Sequence, residues 1–136
     1  MANYKIEEVE GIGPVTGEKL RAQGVTNTDG LLKATTTPAQ RKALAAATGM
    51  SEAQVLKFAN MVDLFRINGV GAQFAELLQA SGVNTVVELS KRNAANLAAA
   101  LETLNAEKKL TRRVPTEAEV TQWVEEAKTL PRVLQY

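Results

Sequence analysis

Two short stretches carry most of the chemistry that this chain can offer. Val9-Glu10-Gly11-Ile12-Gly13-Pro14 runs into Leu20 and then Gly24-Val25. Ile67-Asn68-Gly69-Val70-Gly71-Ala72 runs into Leu78 and then Gly82-Val83, every landmark displaced by 58 positions. The shared pattern is apolar-x-Gly-apolar-Gly, a helix, then Gly-Val. It predicts a tight glycine turn between two helices, used twice. Such a turn leaves backbone N–H groups free at the start of the following helix, with the positive end of the helix dipole behind them, and this suits an anion. Glycine permits positive φ or close backbone approach, while Ile12 and Val70 point inward and pin the turn to the core. The cations placed to support a bound phosphate are Lys19 and Arg21 after the first turn and Arg66 before the second. A second candidate is the most basic stretch, Lys108, Lys109, Arg112 and Arg113. It reads either as an anion patch or as a solvated loop, as short charge runs usually do.

Other chemistry is poorly supported. The chain has no cysteine and no histidine. That removes disulfides, the usual ligands of zinc, haem and iron–sulfur groups, a histidine base and a cysteine nucleophile. Glu7, Glu8 and Glu10 gather before the first turn, but no second acidic cluster completes a two-metal site. They read as a solvated face, and they would repel a phosphate arriving at Gly11–Gly13. Trp123 has the helical spacing of Val120, Val124 and Ala127 and reads as a core anchor rather than a base-stacking platform. Tyr136 could dock on the core or on a partner. No catalytic activity, metal or cofactor is expected. A formal net charge of +1 falls short of the basic excess of a dedicated nonspecific DNA binder.

The elements that must position these groups are helices. Ile6 and Val9 predict a short helix before Gly11; Pro14 suits the first turn of the next, which stops at Gly24. Thr28-Asp29 starts a short helix bearing Leu31 and Leu32. Thr37-Pro38 starts one holding Ala43, Leu44 and Ala47 and ending at Gly49. Ser51-Glu52-Ala53-Gln54 is a capping box opening a longer helix with Val55, Phe58, Ala59, Val62 and Phe65. The order then recurs: Phe74, Leu77 and Leu78 after the second turn; Thr85 before a short helix; Asn93 capping an alanine-rich helix; and a second capping box at Thr116-Glu117-Ala118-Glu119. The connection from Asn105 to Pro115 is longer than its counterpart, and Pro131 ends the pattern. The expectation is a single all-α domain over 1–136. Its two pseudo-symmetric repeats, about 5–62 and 63–129, share one core, and a tail follows at 130–136. The start has no basic-then-apolar leader, and no apolar run is long enough to span a membrane, so a soluble cytoplasmic protein with no membrane partner is expected.

At the stretch Glu10-Gly11-Ile12-Gly13-Pro14-Val15-Thr16-Gly17-Glu18-Lys19-Leu20 the chain resembles the helix-hairpin-helix superfamily, and Asn68-Gly69-Val70-Gly71-Ala72 through Leu78 matches less closely. The order of both hairpins also resembles an uncharacterised bacterial family with paired helix-hairpin-helix motifs. Gly11-Ile12-Gly13-Pro14, Arg66-Ile67-Asn68-Gly69-Val70-Gly71, Gly82-Val83-Asn84-Thr85 and Arg112-Arg113-Val114-Pro115 carry that likeness over almost the whole chain. The superfamily resemblance implies sequence-independent binding of nucleic-acid backbone through hairpin amides at Gly11, Gly13, Gly69 and Gly71 and nearby basic residues. Val15 stands where such proteins often place Lys or Arg, and the second hairpin carries Gln73 and Glu76 where positive charge would help. The expected function is therefore weak nucleic-acid backbone binding. The alternative is a protein-interaction or scaffold module on the same fold, with the C-terminal helix and tail as its contact surface.

Overall fold

The two glycine turns adopt the same backbone path. Gly11 has φ +94° and Gly69 φ +88°, a region that L side chains rarely enter. Behind each turn the amides bond in matching steps: Val9 to Ile6 and Ile12 to Val9 in the first, Ile67 to Leu64 and Val70 to Ile67 in the second, all at 3.0–3.1 Å. Each following helix ends with the amide of Val25 or Val83 reaching back to the carbonyl of Leu20 or Leu78. The computed structural model describes residues 3–136.

Its helices are α1 (Pro14–Ala22), α2 (Thr28–Ala34), α3 (Pro38–Thr48), α4 (Glu52–Leu64), α5 (Ala72–Ala80), α6 (Val86–Ser90), α7 (Ala94–Lys108) and α8 (Glu117–Thr129). Among the described residues the only extended pairing is an isolated bridge between Lys5 and Asn27. The protein is all-α. The starts of α1 and α5, and of α2 and α6, keep the spacing of 58. The helix expected before Gly11 is a single 3-10 turn, Ile6–Glu8. The second turn, by contrast, is entered from the full length of α4.

Capping residues explain most boundaries. Thr37, Ser51, Thr85, Asn93 and Thr116 each accept an N–H from the first turn of their helix, and Thr37, Ser51 and Thr116 form complete capping boxes. Helix α2 is capped by Asn27, so Thr28 lies inside it and is buried. On α3 the inward stripe is Arg41, Leu44, Ala45 and Thr48, leaving Ala43 and Ala47 exposed. An arginine and a threonine hold core positions that sequence periodicity assigns to alanine.

The core runs through both halves without a break. Ile6, Val9, Ile12, Leu20, Val25 and Leu31 are buried, and so are Leu64, Ile67, Val70, Leu78, Val83 and Leu89 at the corresponding places. Each such side chain contributes about 1.5–3 kcal/mol relative to exposure. Under each turn lies an aromatic ring from a 13-residue helix. A Cβ at Gly11 would stand 3.2 Å from the Phe58 ring of α4, and one at Gly69 3.4 Å from Trp123 Nε1 of α8. Phe58 and Trp123 are both the seventh residue after the capping serine or threonine. This confirms Trp123 as an anchor of the core, 3 % exposed.

Replacing Gly11 or Gly69 by alanine therefore combines backbone strain with contact against a ring that cannot move freely. Each substitution should lower unfolding stability by about 1–2 kcal/mol, with Gly11→Ala the more costly. Gly24→Ala, where a Cβ meets nothing within 4 Å, reports the strain alone. Denaturant titration followed by circular dichroism measures all three; equal stability of Gly11→Ala and wild type would contradict this account of the turn.

Candidate functional site

Among the described residues, the two helices that follow the glycine turns are the only α-helices whose N-caps make no side-chain hydrogen bond. Gly13 caps α1 and Gly71 caps α5 without one. Both sit in extended backbone that any residue can adopt, at φ −90° and −101°. No N-cap side chain therefore takes up their first-turn amides, and Pro14 at the start of α1 offers none.

The surroundings of the two turns differ. At the first, Gly11 and Gly13 are exposed and a Cβ on Gly13 would meet nothing within 4 Å. At the second, the carboxylate of Glu126 on α8 already accepts the Asn68 amide at 2.9 Å. Gly69 and Gly71 line an open cleft of about 550 Å3, whose walls include Tyr4, Phe65 and Phe74 and whose rim carries Glu8 and Glu10. Tyr4 meets Phe65 edge-on at 5.5 Å between ring centres. Residues of the first hairpin thus border the second, and they bring negative charge to it. Glu10 is also felt at Glu76 on α5, whose pKa is raised by burial first and by the Glu10 carboxylate second.

The basic residues expected to serve a phosphate do not converge on either turn. Arg66 is 5 % exposed. Its guanidinium pairs with Asp63 at 2.9 Å and donates its other arm to the Pro131 carbonyl at 2.5 Å. The expectation of Arg66 as a surface phosphate partner is corrected: burial next to its own counter-ion removes it from any ligand. Arg21 grips Glu7 with both arms, at 2.8 and 2.7 Å. Glu7 reaches it by lying against Gly17, where a Cβ would stand 2.5 Å from Oε2. Arg113 is bound the same way by Glu119, at 2.6 and 2.8 Å, and its guanidinium lies 5.2 Å from the centre of the Phe74 ring. Lys19, Lys108, Lys109 and Arg112 are exposed and enter none of the ion pairs among the described residues. Lys108 lines a separate groove with Lys57, Glu76 and Asn84.

The basic segment is an ordered connection. Buried Asn105 donates to the Thr111 carbonyl at 3.2 Å and accepts the Thr111 amide at 2.9 Å, and Lys109 closes α7 in the left-handed conformation, φ 52°. Sequence reasoning missed the role of Asn105, and it left open whether Tyr136 docks on the core or on a partner. Residues 130–136 fold back onto the first half. Arg41, 6 % exposed, donates to the carbonyls of Thr35 at 2.8 Å and Gln135 at 2.6 Å. The Gln135 amide returns a bond to Thr36 at 2.8 Å, Leu134 is buried, and the Tyr136 hydroxyl donates to Asn60 at 2.7 Å. Tyr136 thus docks on its own chain, with the Arg41 and Arg132 guanidiniums 5.5 and 5.9 Å from its ring centre. Among the described residues no three carboxylates gather in a way that would hold a metal ion, and no helix is long and apolar enough to cross a membrane.

The fold and its paired turns define an all-helical domain whose distinctive surface is the region around the two hairpins. The chain belongs to a family described only as a domain of unknown function, DUF4332, which matches residues 10–130. No curated protein and no solved structure matches it.

The Arg113–Glu119 pair gives a pH signature. Hydrogen bonding from Arg113 is the main reason that the Glu119 carboxyl is lowered from 4.5 to about 2, with the Thr116 amide next. A depressed folded-state pKa stabilises the protein above the unfolded value and loses that contribution as pH falls. Glu119→Gln keeps an acceptor for the Thr116 amide but not the charge. It should cost less than about 1 kcal/mol near neutrality, because the pair is solvent-exposed. The gap between variant and wild type should close between about pH 4.5 and 2. Chemical unfolding across that range checks it; a gap that persists at pH 2 would contradict the assignment.

Proposed function

We propose that this protein is a non-catalytic helix-hairpin-helix module, built from two copies of one unit related by a pseudo-two-fold, and that it acts by docking a protein partner at the cleft beside its second hairpin. The observation that carries this reading is the cleft itself: half-buried Tyr4 and Phe74 and the buried Phe65 line it beside Gly69 and Gly71, and no lysine or arginine is among its described lining residues. A phosphate placed there would face Glu8 and Glu10, and the neighbouring Asn68 amide is already taken by Glu126. Each such like-charge approach is unfavourable. Aromatic surface of this kind, with little positive charge, is more characteristic of a protein-binding hot spot than of a nucleic-acid interface.

One observation favours a second reading, weak binding of nucleic-acid backbone. Gly13 of the first hairpin is open, and Lys19 on the helix that follows enters none of the ion pairs among the described residues. Such binding would rest on one hairpin with the exposed Lys108, Lys109 and Arg112 as long-range support, since Arg66 is enclosed. It would be micromolar or weaker and would fall steeply with salt, as each neutralised phosphate releases counterions.

A photo-crosslinking residue at Ala72, at the cleft, compared with one at exposed Ala47 on α3, separates these readings. Interaction at the cleft predicts discrete protein adducts at position 72 alone. They should resist nuclease and be competed away by excess unmodified chain. Fluorescence anisotropy with labelled duplex and single strand at low salt should show no binding at high micromolar protein. Salt-sensitive duplex binding abolished by Lys19→Glu, with no adduct at position 72, would replace the protein-docking reading with the nucleic-acid one.

A further inference from the structure

We infer that the cleft beside the second hairpin recognises a cationic segment of its partner, an exposed peptide stretch that presents arginine or lysine. This deepens the docking reading and rests on it. Three features of the cleft select for positive charge. Glu8 and Glu10 at the rim are exposed and enter none of the ion pairs among the described residues, so their charge is not neutralised from within. Two half-buried rings, Tyr4 and Phe74, line it, and ring faces attract guanidinium and ammonium groups. An anionic segment would meet Glu8 and Glu10 together, and a purely apolar one would leave the two carboxylates partly desolvated without partners.

The same chemistry is already assembled within the chain a few ångströms away. Phe74, one wall of the cleft, carries the guanidinium of Arg113 at 5.2 Å while Glu119 holds that guanidinium with both oxygens. A carboxylate steering a guanidinium onto an aromatic ring is thus a stable arrangement on this surface. Half-buried Tyr4, with Glu8 and Glu10 outside the ion pairs among the described residues, repeats its two ingredients without the cation. The volume, about 550 Å3, lies within the range of specific small-ligand sites, roughly 300–1,000 Å3. It accommodates a few residues of extended peptide, and the cleft is open enough for a chain to enter and leave.

The test uses the full chain, isotopically labelled, and a capped Gly-Arg-Gly-Arg-Gly peptide as probe, with the citrulline and glutamate versions as comparisons. The arginine peptide should shift the amide resonances of Gly69, Gly71, Ala72 and Phe74 in a saturable way that weakens with added salt. The citrulline and glutamate peptides should not. The double variant Glu8→Gln/Glu10→Gln changes two exposed side chains and should melt as wild type does. Its binding should be roughly tenfold weaker, about what two partly screened charge contacts contribute. Shifts confined to another surface, equal binding of the citrulline peptide, or undiminished binding by the double variant would overturn the inference. If the peptide moves no resonance at millimolar concentration while position 72 still gives its competed protein adduct, the cation preference is refuted and the docking reading survives. Absence of both removes the two together.

Discussion

The pairing of Asp63 with Arg66 is the contact on which the second half of the molecule and the tail both depend. It sits where α4 ends and the chain turns toward Gly69. Asp63 accepts from Arg66 with one oxygen and from the Val86 amide with the other, each at 2.9 Å, so it also secures the first turn of α6. The second arm of Arg66 holds the Pro131 carbonyl, which fixes the point where the tail leaves α8. One buried ion pair therefore joins the exit of α4, the start of α6 and the beginning of the tail. Placing two charges in the interior carries a desolvation penalty that their mutual attraction offsets only when the remaining donors and acceptors are also engaged. Here they are: among the described residues no buried side-chain nitrogen or oxygen lacks a partner.

The first half solves the same local problem without charge. The residue equivalent to Val86 is Thr28, and its amide bonds to the backbone carbonyl of Tyr4 at 2.8 Å. The positions equivalent to Asp63 and Arg66 are Lys5 and Glu8, both exposed. The two glycine turns, alike in φ and in their amide bonds, are thus backed by a backbone bond from Thr28 to Tyr4 in one half and by an ion pair in the other. This difference leaves Glu8 exposed at the cleft while it encloses Arg66. It also leaves the first hairpin open and the second bordered by acid.

Local signals in the sequence carried the fold well. Positive φ at Gly11, Gly24 and Gly69, the capping boxes at Ser51 and Thr116 and the caps at Thr37, Thr85 and Asn93 all depend on residues within one helical turn of each other. The candidate site was less legible, because its decisive partners are remote. Arg66 reads as a free cation until Pro131, 65 residues away, is brought to it, and Arg41 meets Gln135 across 94 residues. Glu126 reaches Asn68 across 58. The inward stripe of α3 was misplaced partly for the same reason, since Arg41 is buried against the remote Gln135 carbonyl, whereas the Thr48 hydroxyl is satisfied locally by the Leu44 carbonyl one turn earlier. The cleft draws Tyr4, Glu8, Phe65 and Phe74 from three parts of the chain, with no shared spacing to mark it.

The central claim is that Arg66 acts as a structural cation paired with Asp63 rather than as a ligand-binding one. A double-mutant cycle over Asp63→Ala and Arg66→Met, read by reversible denaturant unfolding, measures that pairing directly. Each single variant should be destabilised by about 3 kcal/mol, since it leaves a buried charge or acceptor without its partner. The double variant should recover a large part of the loss, giving a coupling of on the order of 2 kcal/mol. Coupling near zero, with Arg66→Met as stable as wild type, would show that the guanidinium is not held in the interior and would contradict the account.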